Sequence, residues 1–98
     1  MFDLLIQNVS VLMPDFSVKE GQNIYVKDSR IVKIADAAAD DAGEAKEVIS
    51  GRGKLVMPGL IDSHVHYDES YMGDFFLASG VTSVRNMRGF DGHAVWRD

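Results

Sequence analysis

His64 and His66 stand two positions apart in Gly59-Leu60-Ile61-Asp62-Ser63-His64-Val65-His66, the segment of this chain with the clearest capacity for chemistry. Successive side chains of an extended strand alternate between faces, so Asp62, His64 and His66 share one face, with Ile61, Ser63 and Val65 on the other. Residues two apart are separated by roughly 6.6 Å along a strand. Two imidazoles at that spacing can converge on one ion at about 2.0–2.1 Å each, which makes His-x-His on a strand a natural chelate. The plain alternative is a pair of histidines on a polar surface, and the spacing alone does not decide between them.

The sequence contains no cysteine. That excludes a disulfide framework and a thiol nucleophile, and leaves His, Asp, Glu and backbone oxygen to hold any metal. Asp62 and Asp68 are the nearby carboxylates. Asp62 reads as a residue that orients a histidine or a loop N–H rather than as a ligand. His93, beside Gly92, reads as exposed or helix-capping. Tyr71, Phe75, Phe76 and Leu77 read as the covering face of a helix rather than a substrate pocket, whereas Arg85 and Asn86, at a strand end, can face the site. Gly80 reads as a turn glycine, since no glycine-rich phosphate loop surrounds it.

The elements that must carry these residues fall into two kinds. Before Pro58-Gly59 the pattern is strand after strand: Leu4–Leu12, Asn23–Lys27, Arg30–Ala35, Lys46–Ser50 and Lys54–Met57, separated by turn residues such as Met13-Pro14-Asp15 and Gly51-Arg52-Gly53. The first three predict a β-meander. The stretch Asp36–Glu47 lacks an apolar stripe and predicts a solvated loop or frayed helix without a functional role. After Pro58-Gly59 the pattern is a strand over Leu60–His66, a helix over Ser70–Ser79 and a strand over Val81–Val84, a βαβ unit whose strands should be parallel. Gly89-Phe90-Asp91-Gly92 reads as a turn, and His93–Asp98 as the start of a second helix.

The chain has 98 residues, 46% of them apolar, which is enough for one modest core. Fifteen acidic against ten basic side chains give a formal charge of -5, a field that repels phosphate backbones and anionic lipid, so neither nucleic acid nor membrane is expected as a partner. The N-terminus lacks a basic, apolar leader, and a cytoplasmic location is the expectation.

The segment Val56-Met57-Pro58-Gly59-Leu60-Ile61-Asp62-Ser63-His64-Val65-His66 closely resembles the signature that opens the barrel in the amidohydrolase superfamily. Asp3–Asn8 and Asp28–Ile34 resemble that family's N-terminal β-sandwich, and Gly80–Met87 its second barrel strand. With Arg88-Gly89, this last piece is more similar to the imidazolonepropionase-like and prolidase-like branch than to the dihydroorotase or hydantoinase branches. The resemblance implies a mixed β and α/β fold. Residues 1–57 would be a β-sandwich portion, and residues 58–98 the first βα units of an incomplete (β/α)8 barrel.

It further implies one or two divalent ions, zinc foremost, held by His64 and His66 with a Lys or Glu, two more histidines and an aspartate from later strands. Those strands are not among these residues, so the resemblance assigns no catalytic or cofactor-binding residue here. The reaction implied is hydrolysis of an amide-like or cyclic C–N bond in a small molecule. The chain alone is expected to bind metal weakly and to be inactive, truncation being the simplest account of its length. The rival expectation is a non-enzymatic β-rich interaction module or one subunit of a split enzyme, self-associating through exposed sheet edges.

Overall fold

The computed structural model describes residues 1–87 with Gly89 and His93. Apart from those two residues, the turn expected over 89–92 and the helix expected after it lie outside the described residues. The chain divides into two compact units, Met1–Met57 and Pro58–Asp98.

In the first unit, β1 (Phe2–Leu12), β2 (Val18–Lys27), β3 (Arg30–Asp36), β4 (Ala45–Ser50) and β5 (Leu55–Val56) form one sheet. Its order is β3-β2-β1-β4, and β5 also pairs with β1. The first three strands are the expected meander, antiparallel neighbours in succession. Asp28 and Ser29, with φ of 50° and 61°, make the tight β2–β3 connection, a backbone that Asp tolerates better than most residues and that matches the strand twist. Beyond β3 the meander ends. β4 crosses to the far side of β1 and pairs with it in parallel, from Phe2↔Ala45 to Gln7↔Ser50, and β5 follows at Ser10↔Leu55 and Val11↔Val56.

One strand serves two parallel partners because it is bent between them. From Ile6↔Ile24 to Val9↔Gln22, β1 contains one residue more than β2, a bulge that includes Asn8 at φ 54°. From Val9↔Gln22 to Val11↔Lys19 the extra residue lies on β2, where Gly21 has φ 62° and restores the register. Gly51 sits at the junction of β4 and β5, donating its N–H to the Gln7 carbonyl at 2.7 Å. A Cβ at that position would stand 2.4 Å from Val9 Cβ, so only glycine fits.

Both faces of the sheet bury side chains. Val9, Val11 and Ile24 form the core of one face, with Ile6, Met13 and Val56 packed against them. Leu5 and Tyr25, paired across the strands, are buried on the other. There Phe2 lies against the Tyr25 ring with centroids 4.6 Å apart. The loop between β3 and β4 is largely exposed, as its composition suggested, but Asp40 anchors it to that face. Asp40 accepts hydrogen bonds from Asn23 Nδ2 at 2.9 Å, Lys33 Nζ at 2.6 Å and the Tyr25 hydroxyl, and its side chain is 3% exposed. A loop whose apolar residues are all alanines is thus held by polar contacts to the sheet.

The second unit contains β6 (Leu60–Val65), α1 (Met72–Ala78) and β7 (Val81–Asn86). The two strands are parallel, as a βαβ crossover requires. Gly80, at φ 80°, forms the turn from helix to strand and donates to the Leu77 carbonyl at 3.0 Å. A closed barrel is not visible among the described residues. Nor, among them, is any helix long and apolar enough to cross a membrane.

Candidate metal centre

His64 lies within β6, and His66 is the first residue past its end. Val65 between them is 7% exposed, while both histidines are exposed, and the β6–β7 ladder shifts register between Asp62 and Val65. The imidazole rings stand 5.6 Å apart, centroid to centroid, at an interplanar angle of 61°. Two imidazoles on one tetrahedral ion have centroids roughly 5 Å apart, given metal–nitrogen bonds of about 2 Å. The centroid separation is close to that value. Among the described residues no group of three or more His, Cys, Asp or Glu side chains gathers as a metal site.

Asp62 behaves as an orienting residue. Its Oδ1 accepts the backbone N–H of His64 at 3.2 Å, an Asx-type contact across two residues that fixes the backbone beneath the first histidine. Beyond the second histidine, the Asp68 N–H donates to the His66 carbonyl at 3.1 Å.

The end of β7 supports the same region. Asn86 stands opposite Val65 in the parallel ladder, and the Met87 N–H donates to the Val65 carbonyl at 2.9 Å. The Asn86 Oδ1 accepts the Tyr67 N–H at 3.1 Å. Its Nδ2 lies 3.1 Å from His93 Nδ1, and His93 Nε2 in turn meets the Tyr67 carbonyl. His93 is half-buried, with its ring edge-on to Tyr67 at 6.1 Å. Its reading as an exposed or capping residue is therefore corrected. The imidazole offers one acceptor and one donor, and Asn86 and Tyr67 present the complementary pair. Sequence reasoning placed Asn86 near the site through its strand-end position, but nothing in the spacing pointed from residue 93 back to residue 67.

The aromatic helix is also only partly as expected. Phe76 packs on Tyr67 at 5.4 Å, whereas Tyr71, Phe75 and Leu77 are 59%, 66% and 64% exposed. Helix α1 has seven residues and packs against β7, so one turn meets the sheet and the opposite side meets none of the described residues. Ile61 of β6 is 75% exposed.

No family model matches the sequence. The chain is 43% identical over 68 residues to an allantoinase of Desulfitobacterium hafniense, covering 69% of this chain and 14% of the relative. Among solved structures, an L-hydantoinase (dihydropyrimidinase) from Arthrobacter aurescens is similar with a TM-score of 0.71 and 30% identity, over 86% of this chain and 20% of that one. A prolidase complexed with N-methylphosphonate-L-proline is similar with a TM-score of 0.72 and 26% identity, over 93% of this chain and 27% of that one. An N-acyl-D-glutamate deacylase from Bordetella bronchiseptica, complexed with zinc and a phosphonate inhibitor, is similar with a TM-score of 0.69 and 25% identity, over 85% and 18%. The chain thus spans about a seventh of the length of the allantoinase. The prolidase fits the branch suggested by residues 80–89, and the allantoinase and hydantoinase stand beside it.

Proposed function

Since this chain belongs to the amidohydrolase superfamily and corresponds to its strand-rich N-terminal region, we propose that it supplies the first two metal ligands, His64 and His66, of a hydrolase acting on an amide-like or cyclic C–N bond. In this reading Met1–Met57 is a β-sandwich portion and Pro58–Asp98 the start of the hydrolase barrel. The observation that carries the proposal is the pair of exposed imidazoles 5.6 Å apart at the C-terminal end of β6. Barrel enzymes place their reactive groups at that end of their strands.

A bound divalent ion would supply Lewis acidity, lowering the pKa of a coordinated water toward about 7 and polarising a carbonyl. The chain's own residues would bind and orient. His64 and His66 donate imidazole nitrogens, and Asp62 holds the backbone of the first. Catalytic zinc sites use three protein ligands, so the proposal requires at least one ligand beyond this pair, together with a group to accept the water's proton. Zinc is the ion we favour, on the imidazole donors and on its presence in the similar deacylase. The partner is a small-molecule substrate, the setting cytoplasmic.

The test is a calorimetric titration of Zn2+ into the chain and into the His64→Ala, His66→Ala double variant. The proposal expects weak binding that disappears in the variant. Binding of equal strength in both proteins would overturn it. A second reading, a non-catalytic interaction module that self-associates, is favoured by one observation: edge strand β3 exposes Ile31, Val32 and Ile34 by half or more.

A further inference from the structure

His66 lies past the end of β6, where a strand no longer fixes the backbone, yet the peptide groups on either side of it are tied down. On one side the Val65 carbonyl accepts the Met87 N–H at 2.9 Å. On the other, the Tyr67 N–H donates to Asn86 Oδ1 at 3.1 Å. The second tie belongs to a ring of contacts. Asn86 Nδ2 carries only hydrogens to offer; it lies 3.1 Å from His93 Nδ1 and 3.4 Å from Nε2, and the shorter contact favours an unprotonated Nδ1. The neutral imidazole then has its proton on Nε2, which faces the Tyr67 carbonyl. One amide side chain and one imidazole thus grip both polar groups of the Tyr67 backbone. The directions of donation fix both the orientation of the amide and the tautomer of the ring.

We propose that Asn86 and His93 are positioning residues for the metal centre, holding the His66–Tyr67 peptide so that the His66 imidazole stays within reach of the ion shared with His64. The inference rests on the metal-binding reading of His64 and His66. It assigns His93 a role away from the ion, through the backbone following a ligand. Partners that orient a ligand from outside the coordination sphere typically change metal affinity about 10- to 100-fold when lost.

The test uses the 98-residue chain labelled with 15N. Long-range 1H–15N spectra read the tautomer of each imidazole, and Co2+ titrations followed at the Val65 and Tyr67 amides read affinity, including dissociation constants in the millimolar range. The expected result is His93 protonated on Nε2 alone. Asn86→Ala and His93→Ala should each weaken Co2+ binding by about tenfold or more. His93→Gln, whose amide again pairs an acceptor with a donor, should recover most of that loss. A purely structural role would lower the melting temperature without this recovery. Wild-type affinity in Asn86→Ala and His93→Ala, with binding still abolished by His64→Ala, His66→Ala, would discard the clamp and leave the metal centre standing. Binding indifferent to the double substitution would remove the metal centre, and the inference with it.

Discussion

The Asp40 carboxylate is held down to a pKa of about 2 by hydrogen bonds from Asn23, Lys33 and Tyr25. Its ordinary value is 3.8, so the folded state favours the charged form, and the stabilisation is complete above about pH 4 and lost as pH falls toward 2. Asp3, lowered chiefly by its hydrogen bond from Lys46, acts in the same direction. We expect the urea midpoint of the chain, followed by far-UV circular dichroism, to fall across that window. Asp40→Asn should flatten most of the fall without abolishing it, because Asp3 remains. An unchanged pH profile in the variant would show that the loop is held by something other than the carboxylate. His64 and His66, proposed as metal ligands, are a second contribution at this scale. Its spacing was legible because a strand converts a two-residue interval directly into a shared face. Asp40 was not legible, since nothing in the loop's own sequence points from residue 40 back to Asn23, Tyr25 and Lys33 on the β2–β3 hairpin.

Among the elements, β1 is the one on which the first unit depends, because β2, β4 and β5 all pair with it. Replacing Gly51 with Ala would force a methyl group to within 2.4 Å of Val9 Cβ. Overpacking of this kind costs about 1–3 kcal/mol, and the expected outcome is a matching loss in denaturant stability with unchanged Co2+ binding at His64 and His66. Leu5→Ala, which empties a position only 1% exposed, should cost about 2–5 kcal/mol on the same measurement. Every strand of this unit was foreseen from β-branched runs and turn residues, but β2 begins at Val18, five residues before the expected Asn23. The parallel pairing of β4 was not. An apolar run such as Val48-Ile49 says that a strand forms, but the choice between continuing the meander beyond β3 and crossing to β1 is made by the loop over residues 37–44 and its polar anchors. The short helix shows the converse. Its aromatic content suggested a covering layer, yet seven residues present only one turn to β7.

For the molecule as a whole, the outstanding feature is apolar surface on a strand with no neighbour on its outer side among the described residues. β3 ends the sheet, and its Ile31, Val32 and Ile34 are 60%, 51% and 51% exposed. Val32 is the extra residue of a bulge between Val26↔Ile31 and Tyr25↔Lys33, and all three apolar side chains keep half or more of their surface exposed. The free N–H and C=O groups of such an edge can pair with a second strand, and the flanking apolar side chains add area to that contact. Lys33 supplies one charge among them, but it is drawn to Asp40 at 2.6 Å, away from the role of an edge guard. Self-association that grows with concentration is therefore expected, read by sedimentation velocity between about 10 and 500 µM. Ile31→Lys places a solvated charge on the free edge and should shift the distribution toward monomer. Affinity for Co2+ should not change, since His64 and His66 belong to the other compact unit. A wild-type chain that stays monomeric throughout that range would remove the interaction-module reading and leave the metal centre as the function to be pursued. Association relieved by Ile31→Lys would instead locate the contact on β3 and make that edge the first surface to probe for a partner strand.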